Sequence, residues 1–270
     1  MESRFWNQFS TWQQAEAAWD EQAVKAREKF PIIMHSTPKK YPVSEKYLRW
    51  NGLKWLLLGK YGWTFFRTLF FRPFTYLWRY VSSLWQSCSN EGDLYLYGIS
   101  SVDEVMECLQ DADTELFVGF SYCQKPLECP YTRFSEKCCA DVTNIVCQQC
   151  PIAKAIHALP VKRTQYAIIP TVSDMGMHMI QLQKKCKKLF FLVFTCEMAL
   201  TMFGDFAHAC AATGIGIRLH GRTCTTMKAF MLSEQGIKPG RTMVDPLVER
   251  SFFSFVHHWR ECQNKENACT

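Results

Sequence analysis

Apolar runs and helical periodicity alternate along the second two thirds of the chain. Runs rich in Phe, Val and Ile, bounded by polar residues or Gly, predict strands at 116–120, 166–169, 189–195 and 215–219. Helical patterns lie before, between and after them, at 101–110, 151–158, 173–185, 197–211 and 225–234, and a final helix is expected after residue 240. This alternation predicts an α/β fold with a mostly parallel sheet flanked by helices.

The N-terminal third has a different pattern. Apolar residues at steps of three and four predict an amphipathic helix over 11–30, and three prolines predict an extended connector over 31–45. Between residues 46 and 90 the chain has seven Lys or Arg and no Asp or Glu. Pro73 divides the later part into two predicted helices, 51–71 and 74–86. We therefore expect an aromatic-rich helical extension over 1–90 and a cysteine-rich α/β domain over 91–270.

The segment 50–85 carries thirteen aromatic residues among five basic ones. Its uncharged runs are shorter than the roughly 20 residues of a membrane span, whereas helices lying on a membrane surface combine aromatic and basic side chains in this way. One interpretation is a peripheral contact with the anionic inner face of the membrane. The alternative is a helix pair that covers the sheet, with its basic side chains reaching outward to water.

The net charge and the N-terminal residues restrict the expected partners and the expected cell compartment. The net charge of +6 is modest, and no nucleic-acid partner is expected. The first fifteen residues hold Glu, Arg and Gln where a secretory signal has an apolar core, so we expect a cytoplasmic protein with reduced thiols.

Six of the fourteen cysteines lie between Cys123 and Cys150. With the adjacent Cys138 and Cys139 set aside, the spacing is C-x5-C-x17-C-x2-C, and a pair separated by two residues can place both sulfurs on one metal. The cysteines at 88, 108, 186 and 210 fit ordinary burial. Metal or cluster ligation fits four others better, because they lie among polar residues and prolines: Cys123, Cys129, Cys147 and Cys150. The spacing leaves zinc and an iron–sulfur cluster both open.

Three cysteine groups follow predicted strands. Cys123 follows the first strand, Cys196 the third, and Cys224 lies a few residues beyond the fourth. The carboxyl ends of parallel strands meet at one edge of a sheet, so these groups are expected to share one cofactor pocket. Adjacent cysteines point in different directions, and at most one of Cys138 and Cys139 is expected to join it.

The segments SYCQKPLECP, CQQCPIAKAI, FTCEMAL and GIRLHGRTCTT follow one another in an order that resembles the uncharacterised prokaryotic family called domain of unknown function 116. The resemblance covers residues 115–236, although Gln149 stands where that family usually has Gly. It implies an iron–sulfur cluster, of the 4Fe-4S type, near the corresponding cysteines: Cys123, Cys129, Cys147, Cys150, Cys196 and Cys224. The expected function is redox or cluster-dependent enzymatic chemistry, and the alternative is a zinc-stabilised interaction module without catalysis.

Two smaller signals concern charged residues and glycines near the fourth strand. Arg218, His220 and Arg222 indicate either an anion site or a solvated basic loop, and Glu197 is a candidate acid or base. The G-x-G at residues 214–216 has no third glycine opening a helix and does not predict a nucleotide site.

Overall fold

The computed structural model describes residues 54, 57–71, 78, 89–102, 104–105, 111, 113–209, 212–224, 227–238 and 240–268. The predicted helix at 11–30, the connector at 31–45, the predicted helix at 74–86 apart from Trp78, and most of the predicted helix at 101–110 lie outside these residues.

One mixed sheet of six strands forms the centre of the fold. Its strands are β1 (Ser89–Glu91), β2 (Leu94–Tyr97), β3 (Thr114–Ser121), β4 (Thr164–Ile169), β5 (Lys188–Thr195) and β6 (Thr213–Arg218), in the order β1-β2-β6-β5-β3-β4. β6, β5, β3 and β4 run parallel, and β1 and β2 add an antiparallel edge beside β6. The four predicted strands are neighbours in this sheet, which confirms the α/β prediction.

Helices follow the strands and cover both faces of the sheet. They are α1 (Gly62–Phe71), α2 (Ile145–Gln149), α3 (Pro151–Ala158), α4 (Val172–Gln183), α5 (Glu197–Ala209), α6 (Met227–Ser233) and α7 (Pro246–Ala268). Two short strands, β7 (His220–Gly221) and β8 (Thr242–Met243), pair separately. The pattern predicted α3 at its observed bounds and placed α4, α5 and α6 within a few residues of theirs.

Alternate residues of β5 supply the two halves of the core. Phe190, Leu192 and Phe194 belong to one cluster, which includes the fully buried Trp259 of α7. Phe191 and Val193 belong to a second cluster with residues of α1, α4 and α5. A strand that is buried on both faces has a continuous run of apolar residues. The sequence FFLVF in β5 is such a run, and it lies in the middle of the sheet.

The G-x-G of β6 serves packing. A Cβ added at Gly214 would lie 2.1 Å from the Phe191 carbonyl oxygen and 2.6 Å from its ring, and one at Gly216 would lie 2.3 Å from Leu200. Both glycines therefore let neighbouring side chains approach the strand closely.

α1 packs on the sheet through one face and exposes aromatic rings on another. Phe65 is buried in the second cluster, whereas Trp63, Phe66 and Phe70 are exposed and stack in sequence with centroid separations of 5.8 and 6.2 Å. We call these three rings the aromatic face. Among the described helices, none has both the length and the apolar content needed to cross a membrane.

Candidate cysteine sites at the carboxyl edge of the sheet

The structure brings three cysteines to a cavity at the carboxyl edge of the sheet. Cys123 lies in a 3-10 turn that directly follows β3, Cys196 connects β5 to α5, and Cys224 lies three residues beyond β7. All three are buried and line one cavity of about 90 Å³. Cys129, Cys147 and Cys150 are not among the residues that line it.

Cys196 and Cys224 belong to the same cluster of buried residues and line the same cavity. The interaction between these two thiols, with the nearby Lys238 ammonium and Ser233 hydroxyl, lowers the pKa of Cys224 to about 5 against the opposing effect of burial. The same interaction and burial raise the pKa of Cys196. Cys224 is therefore the more acidic thiol of the pair.

A buried ammonium group supports this thiolate. Lys238 is only 2% exposed, and its Nζ donates to the Cys224 sulfur at 3.4 Å. Burial alone lowers a lysine pKa, yet the charges of Cys123, Cys224 and Cys196 outweigh burial and raise that of Lys238. Ser233 Oγ also lies 3.4 Å from the same sulfur.

The remaining cavity wall is mostly apolar. Its lining includes Met175, Met179, Phe191 and Val193. Thr242 also lines it; this residue is 1% exposed, and its hydroxyl oxygen finds no hydrogen-bond partner among the described residues. A buried hydroxyl in this position can donate to a small polar ligand.

A second cysteine group lies in residues 125–150, which we call the cysteine loop. Cys139 Sγ and Cys147 Sγ are 3.5 Å apart. The charge of Cys138 interacts with those of Cys150 and Cys129, and burial, which outweighs the other influences, raises its pKa. Burial and the Cys139 contact raise the pKa of Cys147 to about 11. Cys123 lines the cavity and also belongs to the same buried cluster as Cys147 and Cys150, so it lies between the two groups.

Local sequence explains how the C-x2-C pair is presented. The Asn144 side chain accepts hydrogen bonds from Val146 N and Cys147 N, which starts the short helix α2. Pro151 occupies the first turn of α3, and Cys150 is the residue that precedes this helix. The two cysteines thus lie at consecutive helix starts.

Lys125 holds the rest of the cysteine loop in place. Its Nζ donates to the carbonyls of Thr132, Ser135 and Lys137 at 2.7, 3.2 and 2.9 Å. It is 1% exposed, and its charge interacts with Cys129, Cys138 and Cys150. Burial lowers its pKa. A buried cation beside several thiols favours their ionised form.

The loop sulfurs meet one requirement of a thiolate metal site. With a Zn–S bond of about 2.3 Å, two thiolates on one tetrahedral zinc lie about 3.8 Å apart, close to the separation of Cys139 and Cys147. Within the described residues, no three or more His, Cys, Asp or Glu side chains are positioned together to hold a metal ion. The donor chemistry of the loop therefore fits a metal, and one pair has the required spacing.

The predicted anion-binding cations have partners within the protein. Arg218 pairs with Asp93 and, at 3.3 Å, with Glu197, and His220 also contacts Asp93. Burial raises the pKa of Glu197 even though Arg218 opposes this. This network closes the end of β6 next to Cys196.

Comparison with known protein families, curated proteins and solved structures finds no match to this chain. The resemblance to the family of unknown function therefore stays a prediction carried by its motifs. The sequence interpretation missed Lys125, Lys238 and Thr242, since nothing in their local pattern distinguishes them from exposed polar residues.

Proposed function

We propose that the cysteine loop binds an iron–sulfur cluster and that the protein has a redox function. The observation that carries the proposal is the gathering of cysteines in a loop with little regular structure. The buried Lys125 ammonium interacts with Cys129, Cys138 and Cys150, and Cys147 interacts with Cys138 and Cys139. Several thiols beside a buried cation are an unusual way to fill a protein interior, whereas cluster binding requires several thiolates.

The ligands in this proposal are Cys129, Cys147 and Cys150, with the fourth supplied by Cys138 or Cys139. Lys125 offsets the negative charge that several thiolates would bring into the loop. A bound cluster supplies one-electron transfer. The resemblance noted from the motifs agrees with this cofactor.

Anaerobic purification with iron, sulfide and zinc analysis tests the proposal. We expect brown protein containing iron and sulfide, and loss of both in Cys147→Ser and Cys150→Ser. Cys186→Ser is the matched control, because Cys186 is half-buried and belongs to neither cysteine group. Cys123→Ser should retain the metal if the ligands lie in the loop, whereas the C-x5-C-x17-C-x2-C interpretation requires its loss.

Colourless protein with stoichiometric zinc would overturn the redox proposal in favour of a zinc-stabilised interaction module. Metal retained in both the Cys147 and Cys150 variants would refute the loop as the site. The two outcomes are separable, since the first concerns the metal and the second its location.

We propose further that the aromatic face of α1 contacts an anionic membrane surface, which would place the protein at the inner face of the membrane. Trp63 is 76% exposed and Phe70 67% exposed, and Arg67 is exposed on the same side of the helix. Aromatic rings favour the boundary between headgroups and acyl chains, and basic residues favour anionic headgroups.

Co-sedimentation with anionic and neutral vesicles tests this location. Replacing Trp63, Phe66 and Phe70 by Ser should abolish sedimentation with anionic vesicles. Val161→Ser is the control, since Val161 is 95% exposed and lies far along the chain in another loop. Equal binding of the triple variant and the wild-type protein would contradict the proposal.

A further inference from the structure

The cavity pair Cys196 and Cys224 lies apart from the ligands proposed for the cluster. Its two cysteines come from different loops, belong to one cluster of buried residues and line one cavity. A disulfide needs sulfurs about 2.05 Å apart with a suitable Cβ separation, so forming one here requires side-chain rotations that bring the two sulfurs together.

Access to this pair is limited to small molecules. Cys224 is 1% exposed, Cys196 is 7% exposed, and the cavity before them measures about 90 Å³. A disulfide that belongs to another folded protein cannot reach a sulfur at this depth. A hydroperoxide can, because its reacting group is two oxygen atoms, and an apolar wall suits a small organic substituent.

The cavity offers donors for the oxygens of such a substrate. Thr242 lines the cavity and its buried hydroxyl has no partner among the described residues, and the Lys238 ammonium lies 3.4 Å from Cys224 Sγ. Breaking an O–O bond places negative charge on the leaving oxygen, which donors fixed in a dry site stabilise. The unpartnered hydroxyl points to a ligand independently of the sulfurs.

We propose that Cys196 and Cys224 are a redox-active dithiol that reduces a small hydroperoxide in the cavity, with Cys224 as the attacking sulfur and Cys196 as the resolving thiol. This activity does not depend on the cluster proposed for the cysteine loop.

The reaction balances in two steps. The Cys224 thiolate attacks the terminal oxygen of R–O–O–H, the O–O bond breaks, Cys224 becomes a sulfenic acid, and the alkoxide takes a proton from solvent and leaves as R–OH. The Cys196 sulfur then attacks the Cys224 sulfur, the S–O bond breaks, and the hydroxide leaves as water with the Cys196 proton. The two sulfurs lose two electrons, which the peroxide oxygens gain.

A single-turnover experiment on the full-length reduced protein tests the proposal. One equivalent of hydrogen peroxide or of ethyl hydroperoxide is added, free thiols are counted, and linked peptides are mapped by mass spectrometry. We expect two thiols to be lost per chain and one linkage, Cys196–Cys224. Cys186→Ser should behave as wild type.

Two serine variants separate the roles of the sulfurs. Cys196→Ser should stop at a sulfenic acid on Cys224 that dimedone traps, and Cys224→Ser should form no linkage. Circular dichroism checks that both fold. Loss of bound metal in either variant would overturn the dithiol assignment, because these sulfurs would then be ligands.

Thr242→Val tests the substrate class and leaves both sulfurs in place. We expect the peroxide-driven rate to fall about tenfold, the equivalent of one hydrogen bond, with an unchanged rate for the non-peroxide oxidant diamide. Equal slowing with both oxidants, or a linkage formed by diamide but not by either peroxide, would refute the hydroperoxide. A Cys224 that stays reduced while other thiols oxidise would refute the whole proposal.

Discussion

Removal of the Lys238 ammonium should raise the pKa of Cys224 by several units. Nζ lies 3.4 Å from the sulfur. With an effective dielectric constant of about 20, opposite unit charges at that distance attract by about 5 kcal/mol, which corresponds to roughly 3 to 4 pK units. In Lys238→Met the pKa of Cys224 should therefore move from about 5 to roughly 8 or 9.

The ultraviolet absorbance of the thiolate against pH measures this change, with Cys224→Ser subtracted to isolate one sulfur. Lys187→Met is the control, because Lys187 is exposed and pairs with Asp113 at 3.0 Å. A Cys224 pKa that remains near 5 in Lys238→Met, or that equals the ordinary value of 9.0 in the wild type, would refute the reasoning.

The lowered pKa of Cys224 also predicts how the free energy of unfolding depends on pH. The folded pKa of Cys224, about 5, lies below the ordinary value of 9.0. The thiolate therefore contributes stability that is complete above about pH 9 and is lost as the pH falls through about 5. Urea unfolding of the wild type and Lys238→Met across this range should show a shallower dependence in the variant. Unfolding free energies that change with pH by the same amount in both proteins would contradict this dependence.

Three further changes test the fold and the loop. Gly214→Ala should lower the free energy of unfolding, measured in urea, by about 3 kcal/mol, because the Phe191 carbonyl oxygen blocks the new methyl group. Gly119→Ala meets only ordinary contacts at 3.4 Å and should lower this free energy by about 1 kcal/mol or less. Arg218→Met should lower the free energy of unfolding by about 2–4 kcal/mol in the same assay, since Asp93 loses its arginine partner at a largely buried site and keeps only His220. Lys125→Met removes three carbonyl hydrogen bonds and should make the cysteine loop the first site of limited proteolysis, while an unchanged cleavage pattern would contradict its anchoring role.

The parallel part of the sheet was predictable because its strands are buried on both faces. FFLVF in β5 and LFVGF in β3 have no polar interruption, and helical periodicity separates them. The antiparallel edge was not predicted. β1 is Ser-Asn-Glu and β2 has four residues, and their strand state depends on pairing Leu94 with Ile217, more than a hundred residues away.

The edge position of the cysteines followed from their order along the chain, but their division into two groups did not. Spacing cannot show in which direction a loop leaves its strand, and Cys123 lines the cavity while it also packs in one cluster with Cys147 and Cys150. The burial of the two lysines could not be predicted from the local sequence pattern either. Lys125 and Lys238 are internal because carbonyls and sulfurs from distant segments surround each ammonium.

One arginine connects the two cysteine groups. Arg133 lies in the cysteine loop, and its guanidinium donates to the Cys123 carbonyl at 3.0 Å and to the carbonyls of Lys238 and Gly240. It is therefore bonded both to the turn that carries one cavity cysteine and to the segment that carries the ammonium. The backbone at Lys238 and at Gly240 is therefore held against the loop.

This connection makes the cavity thiols sensitive to the loop. Lys125 sets the path of the loop around Arg133, and Arg133 sets the backbone position of Lys238. The attraction between Lys238 and the Cys224 sulfur falls with their separation, most steeply at short range where no water intervenes. A metal that draws the loop cysteines together would move these carbonyls and with them the ammonium. We therefore expect occupation of the loop to adjust the pKa of Cys224 through the backbone, although the dithiol reaction itself needs no bound cluster.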